Sequence, residues 1–285
     1  MDWLQKLFSH SNYRQDRPPA TAEGWFDLGM TQLAEKQFPQ AELSHKKALE
    51  LDPLMVEAWN ALGVCQAKLG KREEAVASCR RALKHRPDFA EAWYNLGNTL
   101  GTLNREQEAL DAYQRCLEFN PDFPQAWNNL GNLRLKLGDL EDAFKDYQRT
   151  LELKPDCAEA WNGLGVCHWQ RGNFSRAAAS YQKALELRAN FSEALKNLGI
   201  ILGELDRHPE ALECFKRLLE ITPNDPAAHF LKGAALFYLK DYAQAGADFQ
   251  QAIKLAGEQN DRLILKNAET WLKKLDDADH RSGQP

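Results

Sequence analysis

The sequence has no run of about 18 apolar residues, the length a helix needs to cross a bilayer, which excludes a spanning helix. It has no excess of positive charge. Its 36 Lys and Arg stand against 41 Asp and Glu, a net charge of −5, so no basic face for nucleic acid is expected. The six cysteines (65, 79, 116, 157, 167, 214) form no C-x-x-C pair and have no His partner at zinc-finger spacing. They read as small core fillers in a reducing cytosol. There is no Gly-rich phosphate loop, no H-E-x-x-H motif, and the seven histidines are scattered. Metal, cofactor and catalysis are therefore not expected. The opening stretch MDWLQKLFSHSNYRQ lacks the apolar core and small-residue cleavage site of a secretory signal, and the expected location is cytoplasmic.

What the chain does have is a period. Trp25, Trp59, Trp93, Trp127 and Trp161 are spaced 34 apart, and each is followed by Leu at +3 and Gly at +4 (Leu28-Gly29 through Leu164-Gly165). Twelve residues beyond each Gly stands an alanine: Ala41, Ala75, Ala109, Ala143, Ala177. A ring or similar residue comes next (His45, Cys79, Tyr113, Tyr147, Tyr181), and prolines close units at 53, 87, 121, 155 and 223. Within 124–157, Pro124 suits a first helical turn and Gly138 a left-handed helix end. Asp139 suits the cap of a second helix, which Pro155 stops. Each unit therefore reads as a helical hairpin that must stack on its neighbours to enclose a core. Full burial of one indole, roughly 150–250 Å² at about 25 cal/mol per Å², would contribute up to about 4–6 kcal/mol. That outweighs the cost of about 1 kcal/mol for a mid-helix Gly.

The pattern resembles the tetratricopeptide repeat (TPR). Seven units fit without insertion: 22–55, 56–89, 90–123, 124–157, 158–191, 192–225 and 226–259. The last two depart from it, with Leu195 and His229 in place of Trp, Lys232 in place of Leu, and Ala189 and Gly257 in place of Pro. The resemblance implies an all-α fold, a right-handed α-solenoid of seven hairpins whose first helices line a concave groove. Residues 1–21 are expected to be an arm and Pro linker, 260–277 a capping helix held by Ile264, Ala268, Trp271 and Leu275, and 278–285 a disordered tail.

Advancing about 100° per residue from Trp127 puts Leu130, Gly131 and Arg134 on one side of the helix. Asn128, Asn132 and Asn129 fall on the other side. The resemblance assigns that second side to the groove. The same sites elsewhere carry Asn60; Tyr94, Asn95 and Asn98; Lys136; Asn162; and Lys196 and Asn197. An amide offers a donor and an acceptor, so a row of them suits the backbone of an extended peptide. The competing reading is that they bond to neighbouring backbone or simply face water. Trp169 lies outside the structural Trp series, where other units have Leu33, Ala67, Gly101, Leu135, Gly203 and Phe237. It is either a binding anchor facing the space left by Gly203 or a filler between helices. Some family members grip a C-terminal carboxylate through Lys, Asn and Arg in consecutive repeats. Asn98 and Asn129 match that set, but Tyr94, Glu159 and Gly163 break it. The recurring Glu23, Glu57, Glu91, Glu159 and Glu193 suit helix N-termini.

The functional expectation is a non-catalytic scaffold or adaptor that holds a peptide segment of a partner protein. The alternatives are a self-assembling subunit and an accessory factor for assembling a complex, one at a membrane included. Trp3, Leu4, Leu7 and Phe8 share one face of a short helical stretch, open to a partner, to the first repeat or, as the weakest of the three roles, to a membrane surface.

Overall fold

The structure, a computed structural model, describes residues 19–282, with side chains through Leu275. The expectations for residues 1–18 lie outside it. Among the described residues there are fifteen α-helices and no strand. They fall into two compact units that divide between Leu137 and Gly138.

The first unit holds α1 (Ala22–Ala34), α2 (Phe38–Leu51), α3 (Val56–Lys68), α4 (Arg72–His85), α5 (Ala90–Thr102), α6 (Glu106–Phe119) and α7 (Pro124–Leu137). The second holds α8 (Leu140–Leu153), α9 (Ala158–Gln170), α10 (Phe174–Leu187), α11 (Ser192–Glu204), α12 (His208–Ile221), α13 (Pro226–Tyr238), α14 (Tyr242–Gln259) and α15 (Arg262–Ser282). Odd-numbered helices through α13 are the first helices of the repeats and even-numbered ones the second. Within each unit a first helix packs on its own second helix, on the preceding second helix, and on the first helices beside it.

Three local devices recur at the repeat spacing. The first ends each first helix. Lys36, Gly70, Asn104, Gly138, Gly172, Asp206 and Lys240 all have positive φ and stand 34 apart, so the chain reverses at the same place in every repeat. Gly138 takes this conformation, with φ +89°. Asp139 stands at the cap of α8 but makes no side-chain capping bond, whereas Thr21, Asn173 and Asp241 do cap their helices.

The second device corrects the expectation for tryptophan. Trp59, Trp93, Trp127 and Trp161 are only half-buried, so the full-burial figure overstates their contribution. Each instead donates its indole N–H to the carbonyl of the proline six residues earlier. The distances are 2.9 Å to Pro53, 2.8 Å to Pro87, 2.8 Å to Pro121 and 3.0 Å to Pro155. A net contribution of about 1 kcal/mol is ordinary for such a bond, and here it also pins the loop between hairpins to the next helix. The third device is the approach of first to second helix at Gly. A Cβ at Gly97 would lie 2.7 Å from the Tyr113 ring, and one at Gly199 would lie 2.5 Å from Phe215. The Gly cost is thus the condition for seating a buried ring beneath the helix.

Loss of the closing proline does not by itself extend the helix, since α10 still ends at Leu187 with Ala189 in that place, but the last repeat differs. With Gly257 in place of Pro, α14 continues to Gln259 and ends on Asn260 at φ +57°. The last helix begins at Arg262 and runs to Ser282, past the expected end at 277. Asp261 caps it, accepting from the amides of Leu263 and Ile264. It closes the final hairpin with Trp271, whose ring meets Phe230, Phe237 and Phe249 within 6.2 Å.

Candidate functional site

The angular argument treated each first helix as covered on one side only. Packing against adjacent first helices covers a second side, where Asn60, Asn162 and Asn197 lie, and Asn128 is buried as well. Asn60, Asn128, Asn162 and Asn197 are all 8 % exposed or less. They are not free amides on an open surface. Asn95 Nδ2 donates to Asn60 Oδ1 at 2.9 Å and Asn197 Nδ2 to Asn162 Oδ1 at 3.4 Å, each tying one first helix to the previous one. A buried amide must find partners or cost free energy, and Asn60, Asn162 and Asn197 find theirs among the amides, whereas Asn128 Oδ1 is buried without a partner. Asn128 donates to Asn129 at 3.4 Å.

The half-buried groups of the first unit form a tighter set. Asn98 Oδ1 accepts from Tyr113 Oη at 2.8 Å and from Asn129 Nδ2 at 2.8 Å. Asn129 Nδ2 also approaches Tyr94 Oη at 3.4 Å. Tyr94 is wedged between rings, 4.8 Å from Phe123 and 6.2 Å from Tyr113. Burial pushes the Tyr113 phenol well above its usual value, so it stays a protonated donor. Two donors on one oxygen settle which way the Asn98 amide faces: its Nδ2 is left with two N–H groups to offer. The Tyr94 hydroxyl, while accepting from Asn129, keeps its own proton to donate. Asn132 and Lys136 are exposed on the next turns of α7, and Lys136 pairs with Glu106 at 2.6 Å.

In the second unit Trp169 is 36 % exposed, and a Cβ built on Gly203 would meet no atom within 4 Å. Lys196 is half-buried on α11. His168 turns away toward α8, edge-on to Phe144 at 5.3 Å. Burial, then the charges of Arg176 and Arg171, hold its imidazole below the usual value.

Tyr113, Phe123 and Glu106 belong to the first-unit site but escaped the sequence reading, because Tyr113 reads as a scaffold ring. The signal was its hydroxyl. Tyr181 occupies the same repeat position, but Val166 stands where Asn98 does, and the Tyr181 hydroxyl is buried without a hydrogen-bond partner. The cysteines are buried except half-buried Cys157. Burial pushes Cys65, Cys79 and Cys116 up to about 12, which leaves them inert thiols. Among the described residues no cluster of three His, Cys, Asp or Glu could hold a metal, and no helix is long and apolar enough to cross a membrane.

No curated protein matches the chain. Among solved structures it is similar to MamA, with 28% identity, 57% of this chain and 95% of that chain covered, and a TM-score of 0.52. It is similar to YrrB, a TPR protein with an unusual peptide-binding site, at 23% identity, 65% and 95% coverage and TM-score 0.54. It is also similar to PilF of Pseudomonas aeruginosa, at 18% identity, 75% and 96% coverage and TM-score 0.68. The last two likenesses speak to the fold alone. Family models of the tetratricopeptide repeat match residues 56–89, 90–123, 128–194, 168–235 and 226–259. With the 34-residue period, the paired helices and these matches in agreement, the chain belongs to the tetratricopeptide repeat family.

Proposed function

We propose that this protein is a non-catalytic adaptor that binds a peptide segment of another protein on the first-helix face of its repeats. The repeat architecture is one of protein–protein interaction, and YrrB carries a peptide-binding site on the same repeat. The observation that supports the reading is the oriented trio Tyr94, Asn98 and Asn129. Its internal bonds consume acceptors and leave the Asn98 N–H groups and the Tyr94 O–H as preset donors. Such a pair suits the carbonyl oxygens of a backbone or a carboxylate, with little side-chain entropy left to lose on binding. In the second unit, Trp169 beside open space offers an apolar contact of the kind that anchors interfaces. Buried Asn60, Asn128, Asn162 and Asn197 have no part in peptide contact in this reading and serve the scaffold.

The test starts from a partner captured by cross-linking in native extract. Asn98→Asp keeps the oxygen that Tyr113 and Asn129 bond but replaces the donor with an acceptor. We expect binding to weaken by about tenfold or more, because a donor becomes a repelling oxygen. Trp169→Ala should weaken it independently. A partner profile unchanged in both variants would remove this groove from consideration.

A further inference from the structure

Most glycines within the first helices sit where a Cβ would collide. At Gly29, Gly63, Gly97, Gly165, Gly199 and Gly233 the obstacle is a ring or the Cys79 sulfur on the second helix, 2.5–2.8 Å from the Cβ position, and at Gly163 it is the Tyr147 ring. Gly70, Gly138 and Gly172 turn the chain at positive φ. Gly101 and Gly203 have neither reason. A Cβ on either would meet no atom within 4 Å, and neither has positive φ. The repeat does not require glycine there, since the same position carries Leu33, Ala67, Leu135, Trp169 and Phe237. Gly257 is open as well, but it stands on a second helix, where other repeats hold the loop proline.

Glycine is the poorest helix former after proline, so alanine would serve α5 and α11 better than Gly101 and Gly203 do. Local choices that work against their own helix, with no gain inside the fold, are expected at functional positions. Both glycines lie on the first-helix face. Gly101 shares one side of α5 with Asn98, about 4.5 Å further along the axis, and Thr102 beside it is exposed. Half-buried Ala67 and Leu135 hold the same position on the adjoining first helices. Gly203 shares one side of α11 with Ile200, and Trp169 and Phe237 hold its position on the first helices to either side.

We propose that Gly101 and Gly203 are bare so that a bound peptide can lie directly on the helix, an assignment that rests on the adaptor reading and adds the ligand's path to it. At Gly101 the occupant is the main chain of an extended segment. A carbonyl held by the Asn98 N–H groups or the Tyr94 O–H sets that main chain beside α5, and glycine lets the two backbones approach closely. At Gly203 no donor replaces Asn98, because Ile200 stands at that position. The occupant there is an apolar side chain of a bound segment, received among Ile200, Trp169 and Phe237. A bulky residue in place of either glycine would fill the space that the peptide takes.

The probes are dodecapeptides selected on the full chain from a random displayed library, with binding read by fluorescence anisotropy and stability by denaturation midpoint. Peptides that lose affinity with Asn98→Asp report on the first unit, and those that lose it with Trp169→Ala report on the second. Gly101→Leu, which introduces the residue found at 33 and 135, is expected to weaken the first set by about tenfold, and Gly203→Leu the second set by as much. Gly101→Ala and Gly203→Ala should each raise the midpoint by about 1–2 °C, whereas Gly97→Ala and Gly199→Ala should lower it. A midpoint lowered by Gly101→Ala and Gly203→Ala would show that the fold itself needs these glycines and would overturn the proposal. So would peptides that respond to Asn98→Asp or Trp169→Ala yet bind the leucine variants as tightly as wild type, a result that leaves the adaptor reading standing. If no peptide responds to any of the four binding variants, the adaptor groove and this inference fall together.

Discussion

The third and seventh hairpins show what a repeat position requires. In the third, Trp93 donates to Pro87 O and Leu96 is buried. In the seventh, His229 takes the Trp place and Lys232 the Leu place, changes that read in the sequence as decay. The structure finds compensation instead. His229 Nε2 lies 3.0 Å from Pro223 O, the same loop carbonyl that the indole reaches elsewhere. Its Nδ1 lies 3.0 Å from Asp248 Oδ1, and Lys232 Nζ meets the same carboxylate at 2.9 Å. Where the loop keeps its proline, Trp59, Trp93, Trp127, Trp161 or His229 reaches that carbonyl, and in the sixth hairpin, where Ala189 replaces the proline, the fully buried Leu195 fills the place by packing alone. The Lys232–Asp248 ion pair occupies the place that a buried leucine fills in the other repeats.

The comparison breaks most sharply at Asp248, which is 7 % exposed. Asp248→Ala leaves the half-buried Lys232 ammonium without its carboxylate and removes a partner of His229. We expect a loss of about 3 kcal/mol, in the range for halving a buried pair, read as a lower denaturation midpoint. The triple change His229→Trp/Lys232→Leu/Asp248→Ser, which rebuilds the common floor, should restore or exceed wild-type stability. A single variant as stable as wild type would show that the ionic set is not coupled.

A second contrast runs through the ring seated under the glycine. Hairpins three and seven place Tyr113 and Phe249 there, and the first hairpin places His45, fully buried with neither ring nitrogen bonded. Burial lowers the His45 imidazole from 6.5 to about 4. The unfolded chain therefore takes up this proton first as pH falls. The stability contribution is complete above about pH 6.5 and is lost progressively toward pH 4, by on the order of 3 kcal/mol. His45→Phe should abolish this acid sensitivity in α1 and α2 and raise stability at neutral pH by about 1 kcal/mol, since it removes unpaired polar atoms. If α1 and α2 exchange with the same pH profile in wild type and variant, another group is responsible.

Much of the fold was legible because its determinants are local and repeat. Trp, Gly, Ala and Pro at fixed offsets specify a hairpin, and one hairpin cannot stand alone. The site was legible only in part. Asn128 and Asn129 are neighbours on one helix, but one is buried and the other half-buried, and that depends on how far the adjacent first helix covers each. An angular projection from one helix cannot supply it. Nor does a Tyr in a ring series announce that its hydroxyl reaches Asn98. The Trp–Pro bond was hidden for a related reason: the spacing of six was visible, but its meaning lay in the path of the intervening loop.

The smallest effect concerns the turn inside each hairpin, again compared between the third and the seventh. Asn104 has φ +56° and Lys240 φ +62°, both in the left-handed region. Asn enters that region more readily than most residues because its short amide bonds locally, whereas Lys bears a steric cost of about 1–2 kcal/mol. Glycine relieves that cost but gives back part of the gain through the greater freedom of the unfolded chain. Lys240→Gly should therefore stabilise the seventh hairpin by about 0.5–1 kcal/mol, and Asn104→Gly should leave the third nearly unchanged. Equal shifts in the two variants, measured as denaturation midpoints, would mean that the turn tolerates Lys as well as Asn. In that case the presence of glycine at 70, 138 and 172 would have to be explained by something other than backbone strain.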